Sequence, residues 1–181
     1  FHVKFKQQYQ SKFTKKLKET FGTIDYQYSS RIRFAVTKPK GNESLYVSNE
    51  RTSWFYTPPF IEDEQGQVKM NPKNSDILSR FFDSLRKGLI NNKLYQVKKD
   101  KDATVISFSP IMAKRINVNK AHLYFRADTQ QKRFQDVEKM KLETVDNKDF
   151  TFYFSSFETP VKYNQDFFVF EVPDNTSVVG P

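Results

Sequence analysis

Residues 44–59, SLYVSNERTSWFYTPP, place two short apolar runs on either side of a polar turn. If each run is a β-strand, the side chains at every second position share one face. The second run ends at two prolines, and proline cannot donate a hydrogen bond to a neighbouring strand. The stretch therefore predicts a β-hairpin with four side chains on one apolar face: Leu45, Val47, Trp54 and Tyr56.

The same two-residue period runs through most of the chain. Phe1, Val3, Phe5 and Tyr9 alternate with polar residues and predict a strand with one face in water. Residues 23–37, TIDYQYSSRIRFAVT, keep apolar side chains at even positions and predict one unusually long strand, as in strongly curved sheets. Later segments raise the predicted total to roughly ten strands with no βαβ alternation: KLYQVKKD, TVISFSP, AHLYFRAD, RFQDVEKMKLETV, DFTFYFSSF and DFFVFEVP.

One segment changes period. NSDILSRFFDSLRKGLINN carries apolar side chains three and four residues apart, with Ser75 or Asp76 suited to cap the first turn. It predicts a single helix over about residues 75–91. Its apolar face contains Ile77, Leu78, Phe81, Phe82, Leu85 and Leu89.

The predicted helix is too small to cover the predicted sheet. A helix covers about 10 Å of sheet width, whereas ten strands spaced about 4.8 Å apart span several times more. The sheet must therefore curl on itself, lack a second cover, or leave a cavity for an apolar ligand.

Few sequence features point to an enzyme. The chain has 181 residues and no cysteine, which excludes disulfides, thiol catalysis and cysteine-bound zinc. Its two histidines, His2 and His122, are predicted to lie on the surface and have no metal-ligand spacing. Phosphate-binding loops and nucleophile elbows are absent, although paired acids of the glycosidase type stay open. We expect no enzyme activity, no cofactor and no metal.

The charge leaves several partners open. There are 30 Lys and Arg against 21 Asp and Glu, a net charge of +9. Such a surface can aid solubility or meet an anionic membrane, a nucleic acid or an acidic protein. A nucleic-acid platform needs aromatic and basic side chains on one surface. Here most aromatic residues share the apolar face of their strands and the basic residues take the other, which argues against nucleic acid.

Three motifs, in the correct order, resemble the LolA-like outer-membrane lipoprotein carrier proteins. RIRFAV resembles the family's strand before the hairpin, and DFFVFEVPDNTSVV resembles its closing strand. In the hairpin itself the usual glycine of the turn is replaced by Glu50. The hairpin positions that match the family pattern are Ser48, Asn49, Thr52, Trp54, Tyr56 and Pro58.

The resemblance implies a mainly β (α+β) fold of one domain, residues 1–181. It is a strongly curved, incomplete antiparallel β-barrel with a helical lid over its concave hydrophobic face. The family's helix before the first strand is expected to be missing from this chain. The cavity is expected to bind lipoprotein acyl chains, and its predicted lining is Ile32, Phe34, Val36, Leu45, Val47, Trp54, Tyr56, Ile106, Phe108, Leu123, Phe125, Phe152, Phe154, Phe168 and Phe170.

The resemblance also implies a cycle. Such carriers are monomers in the periplasm of Gram-negative bacteria after signal-peptide removal. They load at an inner-membrane lipoprotein-releasing ABC transporter and deliver to an outer-membrane lipoprotein receptor. The family's lid-latching Arg-Pro pair aligns with Tyr28-Ser29, so a Tyr28 hydroxyl latch is one substitute. A lipoprotein receptor or another lipid or glycolipid carrier on the same fold, and a basic nucleic-acid or membrane-surface module, are the alternatives.

Overall fold

The computed structural model describes residues 1–10, 16–61, 63–72, 77–85, 88–127, 133–146 and 148–180. Within these ranges the chain forms one open, curved sheet of twelve strands and two short α-helices. The predicted mainly β, incompletely closed architecture with helical cover is confirmed, with twelve strands in place of about ten.

Two consecutive antiparallel meanders build the sheet. The first contains β1 (His2–Gln10), β2 (Leu17–Gln27), β3 (Arg31–Lys38), β4 (Ser44–Ser48), β5 (Thr52–Thr57) and β6 (Gly66–Pro72). The chain then passes through α1 (Ile77–Leu85) to the opposite edge of the sheet. The second contains β7 (Tyr95–Asp100), β8 (Ala103–Phe108), α2 (Pro110–Ile116), β9 (Val118–Phe125), a 3-10 turn (Phe134–Asp136), β10 (Val137–Thr144) and β11 (Asp149–Glu158).

Antiparallel pairing of β1 with β11 joins the two meanders into one sheet. The last strand, β12 (Thr176–Val179), adds to the edge of the sheet beside β6. That pair is parallel, which departs from the predicted all-antiparallel arrangement.

The single long strand predicted for residues 23–37 is wrong, because β2 and β3 are separated by a turn at residues 28–30. The alternation survives the turn for a simple reason. Tyr26 pairs with Ile32 and Ile24 with Phe34, so even-numbered residues stay on one face of both strands. A hairpin with this register looks like uninterrupted alternation in the sequence.

The concave face carries the main core. Directly opposite residues in antiparallel strands lie on the same face, and the register links Phe5 to Phe154 and Ile24 to Phe34. α1 adds Phe81 and Phe82 to this core, and α2 adds Met112, Ala113 and Ile116. One side of the curved sheet is thus covered by two helices over part of its width.

The outer face has a cover of its own near the β12 edge of the sheet. Residues 159–175, which we call the C-terminal strap, contain no helix or strand. In the strap, Phe168 is only 2% exposed. The Phe170 ring lies 5.4 Å from that of Tyr56 in β5, and the Phe167 carbonyl accepts a hydrogen bond from Arg33 in β3. The strand predicted for DFFVFEVP is therefore wrong.

The helices differ from the prediction at two places. Residues 88–90 are not helical, and Gly88 has a φ of 80°, so α1 is shorter than the predicted 75–91. The other parts of that prediction, residues 75, 76, 86 and 87, lie outside the described residues. The sequence analysis also missed α2, although Ser109 and Pro110 are a recognisable helix start.

Candidate apolar binding cavity

An apolar cavity of about 410 Å³ opens on the concave face where the two meanders meet. This volume lies within the roughly 300–1,000 Å³ of small-molecule sites. Its lining is mainly aromatic and aliphatic: Gln7, Phe34, Tyr46, Ile116, Asn117, Val118, Leu142, Thr144, Phe150 and Phe152.

Strand register assembles this lining from distant parts of the chain. Phe34 lies opposite Tyr46 in the first meander, and Phe150 lies opposite Leu142 in the second. The Phe34 ring stacks on Phe5 at 4.7 Å between centroids and meets Phe152 edge-on at 6.4 Å. These contacts hold the two halves of the wall together across β1.

The short helix α2 supplies one side of the cavity. The Ser109 hydroxyl accepts a hydrogen bond from the backbone N–H of Met112 and caps the helix start. The helix ends at Asn117, whose left-handed backbone, φ 53°, turns the chain into β9. That reversal brings Ile116, Asn117 and Val118 to the cavity, and all three were missed with the helix that positions them.

The helix α1 covers the other end of the concave wall. The Phe82 ring lies 5.5 Å from Tyr26 and 5.5 Å from Phe134, and the Phe81 ring lies 6.0 Å from Phe108. Neither phenylalanine lines the cavity. The predicted lid therefore covers the wall beside the open space and does not lie over it.

Asp83 links α1 to the sheet. Its carboxylate accepts hydrogen bonds from the Tyr26 hydroxyl at 2.6 Å, the Ser30 backbone N–H at 3.2 Å and the Ser30 hydroxyl at 2.9 Å. The predicted Tyr28 is 54% exposed and is not among these donors. A tyrosine hydroxyl does hold the helix, but it belongs to Tyr26, two residues earlier in the chain.

A second tyrosine secures the end of α1. The Tyr95 hydroxyl lies 3.0 Å from the carbonyl oxygen of Ser84 and 2.7 Å from that of Gly88. Burial raises the pKa of Tyr95, because the charged phenolate would lose its hydration. The hydroxyl therefore keeps its proton and can donate a hydrogen bond to a carbonyl oxygen at the end of the helix. The last carbonyls of a helix have no partner within the helix.

Nine of the fifteen predicted wall residues lie on the concave side. Of these, only Phe34 and Phe152 line the cavity. The other seven pack within or against the main core: Ile32, Val36, Ile106, Phe108, Leu123, Phe125 and Phe154. Within the predicted lid, Leu85 and Leu89 also pack against this core, while the side chains of Ile77 and Leu78 lie outside the described residues.

The other six predicted wall residues are not on the concave wall, which corrects the prediction. β3 and β4 pair Phe34 with Tyr46, so Tyr46 faces the cavity and its neighbours in β4 face outward. These outward residues pair with alternate residues of β5, and strap residues pack over part of this face. The six residues are Leu45, Val47, Trp54 and Tyr56 on the strands, with Phe168 and Phe170 in the strap.

The outer face also holds the two histidines beside carboxylates. His2 Nδ1 lies 2.7 Å from Asp25 Oδ1, and His122 Nε2 lies 2.9 Å from Glu143 Oε1. The Tyr163 hydroxyl of the strap donates to the Asp25 carboxylate at 3.1 Å. Burial, reinforced by the negative charge of Asp25, raises the pKa of Tyr163. Each carboxylate has a local structural partner.

No cluster of three or more His, Asp or Glu side chains in the described part of the chain is arranged to hold a metal ion. Likewise, none of the helices in those residues has the length and apolarity needed to cross a membrane.

Comparisons with known proteins place these features in context. The sequence profile of the family described as "Outer membrane lipoprotein carrier protein LolA" matches residues 1–171. A LolA superfamily protein from Nitrosomonas europaea is 9% identical, with a TM-score of 0.49 and coverage of 92% of this chain and 89% of that chain. An outer membrane lipoprotein-sorting protein domain from Vibrio parahaemolyticus is 10% identical, with a TM-score of 0.40 and coverage of 92% and 88%. No curated protein sequence matches the chain.

Proposed function

Because the chain belongs to the LolA family of outer membrane lipoprotein carrier proteins, we propose that it carries lipoprotein acyl chains in the concave cavity. The family is a periplasmic, non-enzymatic carrier family that binds lipoproteins. The finer proposal is that this chain takes lipoproteins from an inner-membrane ABC transporter and delivers them to an outer-membrane receptor. It would do so as a monomer in the periplasm of a Gram-negative bacterium.

The observation that carries the proposal is the apolar cavity beside a partly covering helix. Each buried CH₂ group contributes about 0.8 kcal/mol, so an acyl chain laid along Phe34, Phe150 and Phe152 would bind strongly. The cavity is smaller than several acyl chains require. Loading would therefore displace α1 and expose the wall that Phe81 and Phe82 now cover.

Displacement of α1 also explains how such a carrier could release its cargo. The aromatic face of α1 and the acyl chains compete for the same wall, and the helix recovers its contacts when the cargo leaves. This recovery lowers the net affinity below what the buried hydrocarbon alone would give. The Asp83 hydrogen bonds would add to the stability of the closed, empty state.

The test is displacement of a hydrophobic fluorophore by a triacylated lipopeptide. Phe34→Glu places a carboxylate in the wall and should weaken binding of both ligands at least tenfold, because burying a charge in an apolar site is costly. Phe60→Glu makes the same change at a side chain that is 76% exposed and should leave binding unchanged. Equal binding by wild type and Phe34→Glu, with both folded, would exclude this cavity as the cargo site.

Further assays separate the remaining alternatives. A lipoprotein receptor would bind the lipopeptide but would fail to release lipoproteins from spheroplasts, whereas a carrier releases them. A glycolipid carrier would prefer a glycolipid over the lipopeptide as competitor. A nucleic-acid module would show salt-dependent oligonucleotide binding that is insensitive to Phe34→Glu.

A further inference from the structure

A row of alternating aromatic and basic side chains crosses the outer face of the sheet. Strand register places Phe21 opposite Lys6, Lys6 opposite Tyr153, Tyr153 opposite Lys139 and Lys139 opposite Tyr124. The five residues come from the adjacent strands β2, β1, β11, β10 and β9. We call them the outer row; at about 4.8 Å per strand it is roughly 19 Å long.

The lysines of the outer row lie over its tyrosine rings. Lys6 Nζ is 4.9 Å from the centroid of Tyr153, and Lys139 Nζ is 4.5 Å from that of Tyr124 and 6.0 Å from that of Tyr153. Phe21 is 41% exposed and Tyr153 is 36% exposed. The exposed rings of Phe21 and Tyr153 therefore meet solvent beside the half-buried side chains of Lys6, Lys139 and Tyr124.

The charge around the row is net positive. An open groove of about 570 Å³ beside it is lined by Lys4, Lys6 and Lys38, together with Phe21 and Tyr153. Nearby carboxylates partly offset this charge: Glu19 lies 3.5 Å from Lys6, and Glu143 and Asp149 lie 3.8 and 3.5 Å from Lys141. In the described residues, no carboxylate lies within 4.0 Å of Lys4 or Lys139.

We propose that the outer row is a docking surface for an anionic phospholipid bilayer. Lysine attracts anionic headgroups, and tyrosine prefers the membrane–water interface, where its ring is apolar and its hydroxyl stays hydrated. This surface lies outside the cavity and works whether or not the cavity carries lipoproteins.

One feature favours a bilayer over a nucleic acid. Base stacking needs free ring faces, and here lysine ammonium groups lie over the rings of Tyr124 and Tyr153. In the docked orientation the concave cavity faces away from the bilayer, so bulk phospholipid has no direct path into it.

The experiment is co-sedimentation with sucrose-loaded vesicles of phosphatidylcholine containing 30% phosphatidylglycerol, at about 0.1 M ionic strength. The double variant Lys6→Glu, Lys139→Glu should lower the partition coefficient at least about tenfold, since each basic side chain near such a surface contributes about fivefold. Lys69→Glu, Lys114→Glu makes the same change in net charge at exposed residues on the concave side and should have little effect. If charge reversal perturbs folding, the double variant Lys6→Gln, Lys139→Gln replaces it in the same measurement.

Three results would overturn the proposal. The wild type could fail to sediment with anionic vesicles, or both double variants could lose the same affinity, so that only net charge matters. The outer-row variant could also lose affinity for a single-stranded oligonucleotide while its vesicle binding is unchanged, which would identify nucleic acid as the partner. The double variant Lys6→Glu, Lys139→Glu should leave fluorophore displacement unchanged, and Phe34→Glu should leave vesicle binding unchanged. Failure of the membrane-docking proposal is therefore distinguishable from failure of the carrier function.

Discussion

At Gly22 the backbone of β2 passes so close to β3 that no side chain fits between them. A Cβ built there would lie 1.8 Å from the carbonyl oxygen of Ala35 and 2.9 Å from the Phe5 ring. The β2–β3 register shifts at this residue, as expected for a bulge.

Gly22→Ala should therefore lower the free energy of unfolding by about 2–3 kcal/mol, because the backbone must move to admit the methyl group. Urea denaturation measures the change. Gly180→Ala is the matched control, since its Cβ would meet only the Met70 side chain at 3.8 Å. Equal midpoints for the two variants would contradict the account.

We expect Tyr163 to give the fold a dependence on alkaline pH. Its hydroxyl donates toward the Asp25 carboxylate and the Phe1 carbonyl, and burial raises its pKa above the ordinary value. A raised folded-state pKa means that the stabilisation is fully present below the unfolded value of about 10 and is lost as the pH rises beyond it.

Thermal unfolding between pH 8 and pH 11 should show this loss in the wild type and a smaller loss in Tyr163→Phe. At pH 8 the variant should be less stable by about 1 kcal/mol, because it lacks the hydrogen bond. Tyr153→Phe, at an exposed position, is the control for general tyrosine titration. Parallel pH profiles for wild type and Tyr163→Phe would remove Tyr163 from the explanation.

Among the elements, α1 has the contacts of a movable cover. It packs through Phe81 and Phe82, and Asp83 joins it to β2 and the turn before β3. Asp83→Ala should weaken the closed state by about 1–3 kcal/mol, the usual cost of removing a charged acceptor.

Two measurements test this. Amide hydrogen exchange within α1 should accelerate about tenfold or more, and hydrophobic ligands should bind more tightly because less helix packing must be displaced. Asp63→Ala, at an exposed loop carboxylate, should change neither quantity. Faster exchange without tighter binding would show that α1 does not compete with the ligand.

At the scale of the whole molecule, the two faces of one sheet have separate covers. The concave side holds the helices and the cavity, while the strap covers part of the outer side near the β12 edge. Phe168→Ala should lower the free energy of unfolding by about 3–5 kcal/mol, since the ring is almost fully buried.

The same variant should bind the hydrophobic fluorophore with unchanged affinity while it remains folded, because Phe168 does not line the cavity. Phe152→Ala, at the cavity wall, should lose both stability and affinity. If Phe168→Ala lowered affinity as much as Phe152→Ala, the two faces would not be independent.

The sequence by itself determined the class of structure and much of its detail. Alternation identified most strands, the 3.6-residue period of ILSRFFDSL identified α1, and three short motifs identified the family. These properties are local, since they depend on the spacing of side chains along one segment.

Only the tertiary structure decided which face of each strand looks into the cavity. The apolar alternation of Leu45, Val47, Trp54 and Tyr56 is real, but it is buried on the outer side, partly beneath a strap that begins about a hundred residues later. Register decides the side, because a shift of one residue in pairing moves every side chain to the opposite face. Register depends on strands that are distant in sequence, and local periodicity contains no information about them.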